Sequence, residues 1–290
     1  MRSSSPTGSQ DGTDFGSQEE KQKGHLRNSP YELFVIGLGS GGPEGVTVAA
    51  KKALSQVDTV IGYKLYLEQA APLLSPNVKL ESSGMTAETK RAEEALARAM
   101  KGERVAVVSG GDPGVYAMAG VVFEVAADRK LPLGTDPGEL KITVVAGTPA
   151  LTNGAALLGA PITHDFCAIS LSDRLTDWEL IKKRLTLASR GDFVIILYNP
   201  RSHGRATQLG EAKSILLENM SPDTPVGLAS RCGRDGQNGT IVTLGTLEPE
   251  EVDMQTLVII GNSTTFVYRN HMITPRGYLS KYGDSQSQEV

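Results

Sequence analysis

Arg104-Val105-Ala106-Val107-Val108-Ser109-Gly110-Gly111-Asp112-Pro113-Gly114-Val115 is the stretch that decides how this chain folds. The apolar run up to Ser109 predicts a short strand. Two glycines then permit a sharp turn that exposes backbone amides and carbonyls. Asp112 and Pro113 fix the start of a helix predicted over Val115–Arg129. By spacing alone, the loop reads equally as a plain strand-to-helix turn with Asp112 as its N-cap.

The same rhythm extends outward. Leu33–Gly37 and Thr59–Tyr63 predict strands, and Val46–Gln56 predicts a helix. Glu88–Lys101 places Ala92, Ala95, Leu96, Ala99 and Met100 at helical spacing. A Pro-, Gly- and Asp-rich connection, Leu131–Leu140, leads to a strand at Lys141–Ala146. Strands alternating with helices predict a largely parallel sheet with helices on its faces.

Further strands are predicted at Phe166–Ser170, Phe193–Tyr198, Pro225–Ala229, Thr240–Thr243 and Thr256–Ile260, with more antiparallel character. Thr176-Asp177-Trp178-Glu179 fits a capping box, ahead of a buried stripe of Trp178, Ile181, Leu185 and Ala188. Lys182, Lys183 and Arg184 fall on the solvated face of that helix. The expected fold class is α/β, with two α/β domains over residues 31–148 and 149–276 and a cleft between them. A disordered tail is expected over residues 1–30, because it is polar and carries almost no large apolar residues. Residues 277–290 are expected as a polar C-terminal tail.

Composition narrows the function. Hydrophobic residues are 39% and charged residues 21% of the 290, an ordinary soluble balance. The net charge of −4 argues against broad nucleic-acid binding. No apolar run approaches the roughly 20 residues a membrane helix needs. Residues 1–30 lack a secretory h-region, and the two distant cysteines make a reducing cytoplasm the expected setting. Cys167 and Cys232 lie far apart, and His25, His164, His203 and His271 are dispersed, so no disulfide or metal site is predicted.

Gly37-Leu38-Gly39-Ser40-Gly41-Gly42 satisfies the G-x-G-x-x-G pattern after the first strand. A dinucleotide site also wants an acid at the end of the second strand. Here that strand ends at Gly62-Tyr63, Asp58 precedes it, and Pro43 follows the last glycine. NAD is therefore disfavoured, and the glycines are read as sites of close backbone approach to another ligand.

Taken together, the glycine-rich loop running Gly37 to Thr47 and the Gly110-Gly111-Asp112-Pro113 loop resemble the tetrapyrrole methylase family over roughly Tyr31–Gly277. Three later stretches are similar to the branch of that family that methylates precorrin-3B at C17. They are Thr163-His164-Asp165-Phe166-Cys167-Ala168-Ile169-Ser170-Leu171-Ser172-Asp173, Tyr198-Asn199-Pro200-Arg201-Ser202 and Ile260-Gly261-Asn262-Ser263-Thr264. Two departures stand out: Ser40 where many relatives carry Pro, and Ala146-Gly147-Thr148-Pro149-Ala150 where the common form is close to Pro-Gly-x-Thr-Ala.

The resemblance implies S-adenosylmethionine as methyl donor, bound by Gly39, Ser40, Gly110, Gly111, Asp112, Val115, Pro149, Ala150 and Asn199. It implies C17 methylation of precorrin-3B or its cobalt-containing counterpart, with ring contraction to the precorrin-4 level, in cobalamin biosynthesis. That substrate bears many carboxylates, for which Arg201, Arg205, Arg231 and Arg234 are the expected grips. Ring contraction needs a proton removed, and His164, Asp165, Ser170 and Asp173 are the candidates by motif position. The expected assembly is a homodimer, with no nucleic-acid or membrane partner. Two rival readings are a methylase of the same family acting at another corrin position or on RNA, and a nucleotide-binding module without chemistry.

Overall fold

The computed structural model describes residues 29–84, 87–202 and 204–282. The expected N-terminal tail, apart from Ser29 and Pro30, lies outside the described residues, as do residues 283–290 of the C-terminal one.

The first part runs β1 (Tyr31–Gly37), α1 (Val48–Leu54), β2 (Thr59–Gly62), α2 (Lys64–Ala70), β3 (Lys79–Ser82), α3 (Glu88–Met100), β4 (Val105–Ser109), α4 (Met118–Asp128) and β5 (Leu140–Val145). Its strands form one parallel sheet, in the order β3-β2-β4-β1-β5. Alternation along β4 sorts the core. Val105 and Val107 pack with Ala92, Leu96, Val122 and Ala126 of α3 and α4. Ala106 and Val108 pack on the other face with Ala50, Leu54 and Leu67 of α1 and α2. Burial on both faces is why β4 reads as an unbroken apolar run.

The second part runs α5 (Ala150–Leu158), β6 (Gly159–Ala160), β7 (Phe166–Ser170), α6 (Trp178–Arg190), β8 (Val194–Tyr198), α7 (Gln208–Leu217), β9 (Pro225–Ser230), β10 (Asn238–Thr243), β11 (Thr256–Ile260), β12 (Phe266–Tyr268), β13 (His271–Ile273) and α8 (Tyr278–Tyr282). Its main sheet has the order β10-β9-β11-β8-β7, with β7 and β8 parallel and the remaining pairs antiparallel. Ile181 and Leu185 of α6 and Leu209, Ala212 and Leu216 of α7 cover one face. Ala155 and Leu158 of α5 meet Val194, Ile196 and Ile259 on the other. A small sheet, β12-β13-β6, stands beside it.

Three local departures from the sequence reading have clear causes. The helix predicted from Val46 starts at Val48, because Pro43–Gly45 forms a short 3-10 turn and the Thr47 hydroxyl accepts the Ala50 N–H at 3.1 Å. The helix predicted from Val115 starts at Met118, because Tyr116 sits at φ 53, in the left-handed region no helix uses. The cap of α6 is Asp177 rather than Thr176: its carboxylate accepts the Glu179 N–H at 3.1 Å. Trp178 is half-buried, its indole N–H donating to Glu211 at 2.8 Å. Asp58 binds Arg104, through the backbone N–H at 3.0 Å and the guanidinium at 3.2 Å. Among the described residues, no helix is long and apolar enough to cross a membrane.

Candidate cofactor and substrate cleft

The glycine loops meet at the C-terminal ends of β1, β4 and β5. Gly39 and Gly111 exchange backbone hydrogen bonds, at 3.1 and 2.8 Å. A Cβ on Gly37 would come within 2.5 Å of the Gly111 carbonyl oxygen and 2.8 Å of the Gly147 nitrogen. These glycines are therefore demanded by backbone packed on backbone. Gly111 differs: its φ is +65, and a Cβ there would find its nearest neighbour, Pro149 Cα, at an ordinary 3.7 Å. Conformation requires this glycine, and a Cβ there would sit in ordinary contact with Pro149 and Ala150 without a clash.

Asp112 is not the N-cap of the following helix, whose cap is Ala117. One carboxylate oxygen accepts the Gly114 N–H at 2.8 Å and the other the Gly147 N–H at 3.1 Å. It clasps the loop after β4 to the loop after β5, so the side chain sets the shape of the cleft.

The second part closes on the same place. The Tyr116 hydroxyl donates to the Ala168 carbonyl, on edge strand β7, at 2.9 Å. Its ring lies 5.1 Å from that of Tyr198, at the end of β8. The Tyr198 hydroxyl accepts the Leu151 N–H at 3.0 Å, just behind Pro149 and Ala150 in the first turn of α5. Burial pushes the Tyr198 phenol up to about 12 and shifts Tyr116 upward as well. Gly110, Gly111, Asp112, Val115, Pro149, Ala150 and Asn199 are thus brought together around a tyrosine pair. The sequence reading passed over Tyr116 and gave Tyr198, the first residue of the second motif, no role of its own. Their signal was adjacency to the Gly110–Val115 loop and to Asn199. The Ser109 hydroxyl, at the root of the loop, is buried without a hydrogen-bond partner.

Ser40 faces the second part. Its hydroxyl accepts from the Asn153 amide at 2.5 Å and its carbonyl from Arg234 Nε at 3.1 Å. Gly42 N–H donates to the Gly233 carbonyl at 3.0 Å. A pocket of about 400 Å³ opens beside this contact, lined by residues including Gly41, Gly42, Gln69 and Arg234.

Of the other expected grips, Arg201 donates to the Pro249 carbonyl at 3.2 Å, and Arg231 is exposed at φ 50. Arg205 is buried beneath Asn199, donating to that residue's carbonyl at 3.3 Å.

The proton-removal candidates divide. Ser170 ends β7 opposite Tyr198, and its hydroxyl accepts from the Asn199 amide at 2.9 Å. Asp173 follows and accepts from Gln208 at 2.9 Å. His164 and Asp165 precede β7, so five to six extended residues, about 17–20 Å, separate them from Ser170. There the His164 ring nitrogen accepts the Asp165 N–H at 2.7 Å. The Asn262-Ser263-Thr264 motif lies at that same far end, because β11 runs antiparallel to β8. Ser263 binds Asp192 through its N–H at 2.8 Å and its hydroxyl at 2.6 Å. The structure therefore does not gather the three later motifs around one cleft. Only the end of the first and the whole of the second reach it.

Glycine-rich strand ends of an open parallel sheet, closed over by a second α/β layer, define a ligand-binding α/β protein with its site at the strand termini. Residues 32–248 match the family described as Tetrapyrrole (Corrin/Porphyrin) Methylases. The chain belongs to that family. It is 46% identical over 258 residues to the "Cobalt-factor III methyltransferase" of Priestia megaterium, covering 89% of this chain and 47% of that protein, so it spans about half that relative's length. It is 40% identical over 254 residues to the "Precorrin-3B C(17)-methyltransferase" of a Sinorhizobium species, covering 85% of this chain and 96% of that one. Among solved structures, that of the methyltransferase CobJ matches with a TM-score of 0.78 at 37% identity, covering 84% of this chain and 99% of that one.

Proposed function

We propose that this protein is an S-adenosylmethionine-dependent methyltransferase that methylates precorrin-3B, or its cobalt-containing counterpart, at C17 with ring contraction in cobalamin biosynthesis. The observation that carries the reading is the convergence of the Gly110–Val115 loop, Pro149-Ala150 and Asn199 on one strand-end cleft. Gly111, left-handed and set against Pro149 and Ala150, places a bare backbone turn at the strand ends, which fits a ligand that approaches the backbone closely.

Bound there, S-adenosylmethionine supplies an activated methyl, so the protein's task is alignment and exclusion of water. Gly39, Ser40, Gly110, Gly111, Asp112, Val115, Pro149, Ala150 and Asn199 form the proposed cofactor wall. No side-chain nucleophile is required. In keeping with that, burial pushes the Cys167 thiol up to about 11, which leaves it protonated at neutral pH. Arg201, Arg231 and Arg234 are the proposed carboxylate grips. Ser170 and Asp173, at the cleft end of β7, are preferred over His164 and Asp165 for proton removal.

We read residues 31–148 and 149–276 as the two domains flanking the cleft, and the setting as cytoplasmic. A homodimer is supported by the exposed apolar run Phe266, Val267 and Tyr268 on β12, which leaves an apolar strand for a partner to cover. Calorimetry with S-adenosylhomocysteine and with NAD tests the cofactor: binding of the first and none of the second is expected. Failure of S-adenosylhomocysteine to bind would remove the cofactor reading.

A further inference from the structure

We infer that Arg205 is a positioning residue that holds Asn199 in place, and not a grip on substrate carboxylates. The inference rests on the reading above that the Tyr198-Asn199 strand end contacts the cofactor. Arg205 is only 5% exposed, so a carboxylate arriving from the cleft cannot form the two parallel bonds a grip requires. Its donors point at the protein instead. Nε donates to the Asn199 carbonyl at 3.3 Å and Nη1 to the Ser172 hydroxyl at 3.3 Å, while Nη2 faces the Met254 sulfur at 3.6 Å. Asn199 Nδ2 donates to the Ser170 hydroxyl at 2.9 Å, and that same oxygen accepts the Ser172 N–H at 3.2 Å.

These bonds close a ring, Arg205 to Asn199 to Ser170 to Ser172 and back, across the C-terminal ends of β7 and β8. Arg205 is tied back to this strand end by reciprocal backbone bonds with Ser202 at 2.9 and 3.1 Å. The ring also answers a strain. Asn199 sits at φ 53, a left-handed conformation unfavourable to any residue with a Cβ, although Asn tolerates it better than most. Its carbonyl and amide are each pinned by one arm of the ring. Without the ring, Asn199 is free to relax and the cofactor wall shifts.

Two variants test this, Arg205→Lys, which keeps the charge but not the fork, and Ser172→Ala, which removes one acceptor from the ring. Both are read by the calorimetric Kd for S-adenosylhomocysteine and by the KM for the trimethylated corrin precursor. Arg205→Lys is expected to raise the Kd about tenfold and Ser172→Ala about threefold, with the precursor KM within about twofold of the parent in each. An unchanged Kd overturns the inference, whether or not the melting temperature falls. A raised precursor KM with unchanged Kd overturns it in favour of a substrate grip. If Arg205→Lys does not fold, Ser172→Ala decides alone. Failure of the parent protein to bind S-adenosylhomocysteine would instead sink the cofactor reading, and this inference with it.

Discussion

At the scale of single residues, the glycines of the cleft are required for two different reasons, and substitution separates them. Gly37→Ala drives a Cβ into backbone atoms of two neighbouring loops that cannot swing aside. We expect it to cost about 3 kcal/mol or more, the upper end of overpacking. Gly111→Ala meets no such clash and pays only the left-handed penalty, about 1–2 kcal/mol. Urea unfolding of both variants checks the order, and equal costs would contradict it. Tyr198 makes a second prediction at this scale. Its folded phenol titrates at about 12 against an ordinary 10. The unfolded chain therefore releases this proton first as pH rises, and the stability Tyr198 contributes is intact below pH 10 and lost between about 10 and 12. Tyr198→Phe should lose less stability across that window than the parent, and parallel curves would show that the phenol is not held neutral.

Individual elements show what the sequence made legible. The buried strands of the first sheet were readable because β-branched runs on both faces leave few alternatives, as in Val105–Ser109. β3 was missed because Lys79-Leu80-Glu81-Ser82 is an exposed edge strand without alternation. α5 was missed because the expected boundary between residues 148 and 149 falls just ahead of it, so its first turn was read as junction. The parallel first sheet and the antiparallel character of the second were legible, but which strands of the second run backwards was not, and that decided the site. Each of the three later motifs adjoins a strand, but β11 is antiparallel, so Asn262-Ser263-Thr264 ends up far from Asn199. His164 is likewise displaced, because it precedes its strand where Ser170 ends it. The start of α6 offers a direct test. Asp177→Ala should cost about 1 kcal/mol through loss of the cap, and Thr176→Ala close to nothing. Chemical denaturation measures both, and the reverse order would restore Thr176 as the cap.

Across the whole molecule, specific bonds within the first part and between the two parts meet around the cleft. Asp112 ties the loops of the first sheet together, Tyr116 reaches the edge of the second, and Ser40 meets Asn153 and Arg234. Asp112→Asn should loosen the cleft from its centre. One carboxylate acceptor becomes a donor facing an N–H, at a cost of about 1–3 kcal/mol in stability. It should also weaken S-adenosylhomocysteine binding in calorimetry, and unaltered affinity would show that this clasp does not shape the cofactor wall. The central claim concerns the atom that receives the methyl, and carbon NMR of the product tests it most directly. With methyl-labelled S-adenosylmethionine and the trimethylated corrin precursor, the label should appear at C17 of a ring-contracted product. Label at any other carbon would contradict the proposed function while leaving family membership intact.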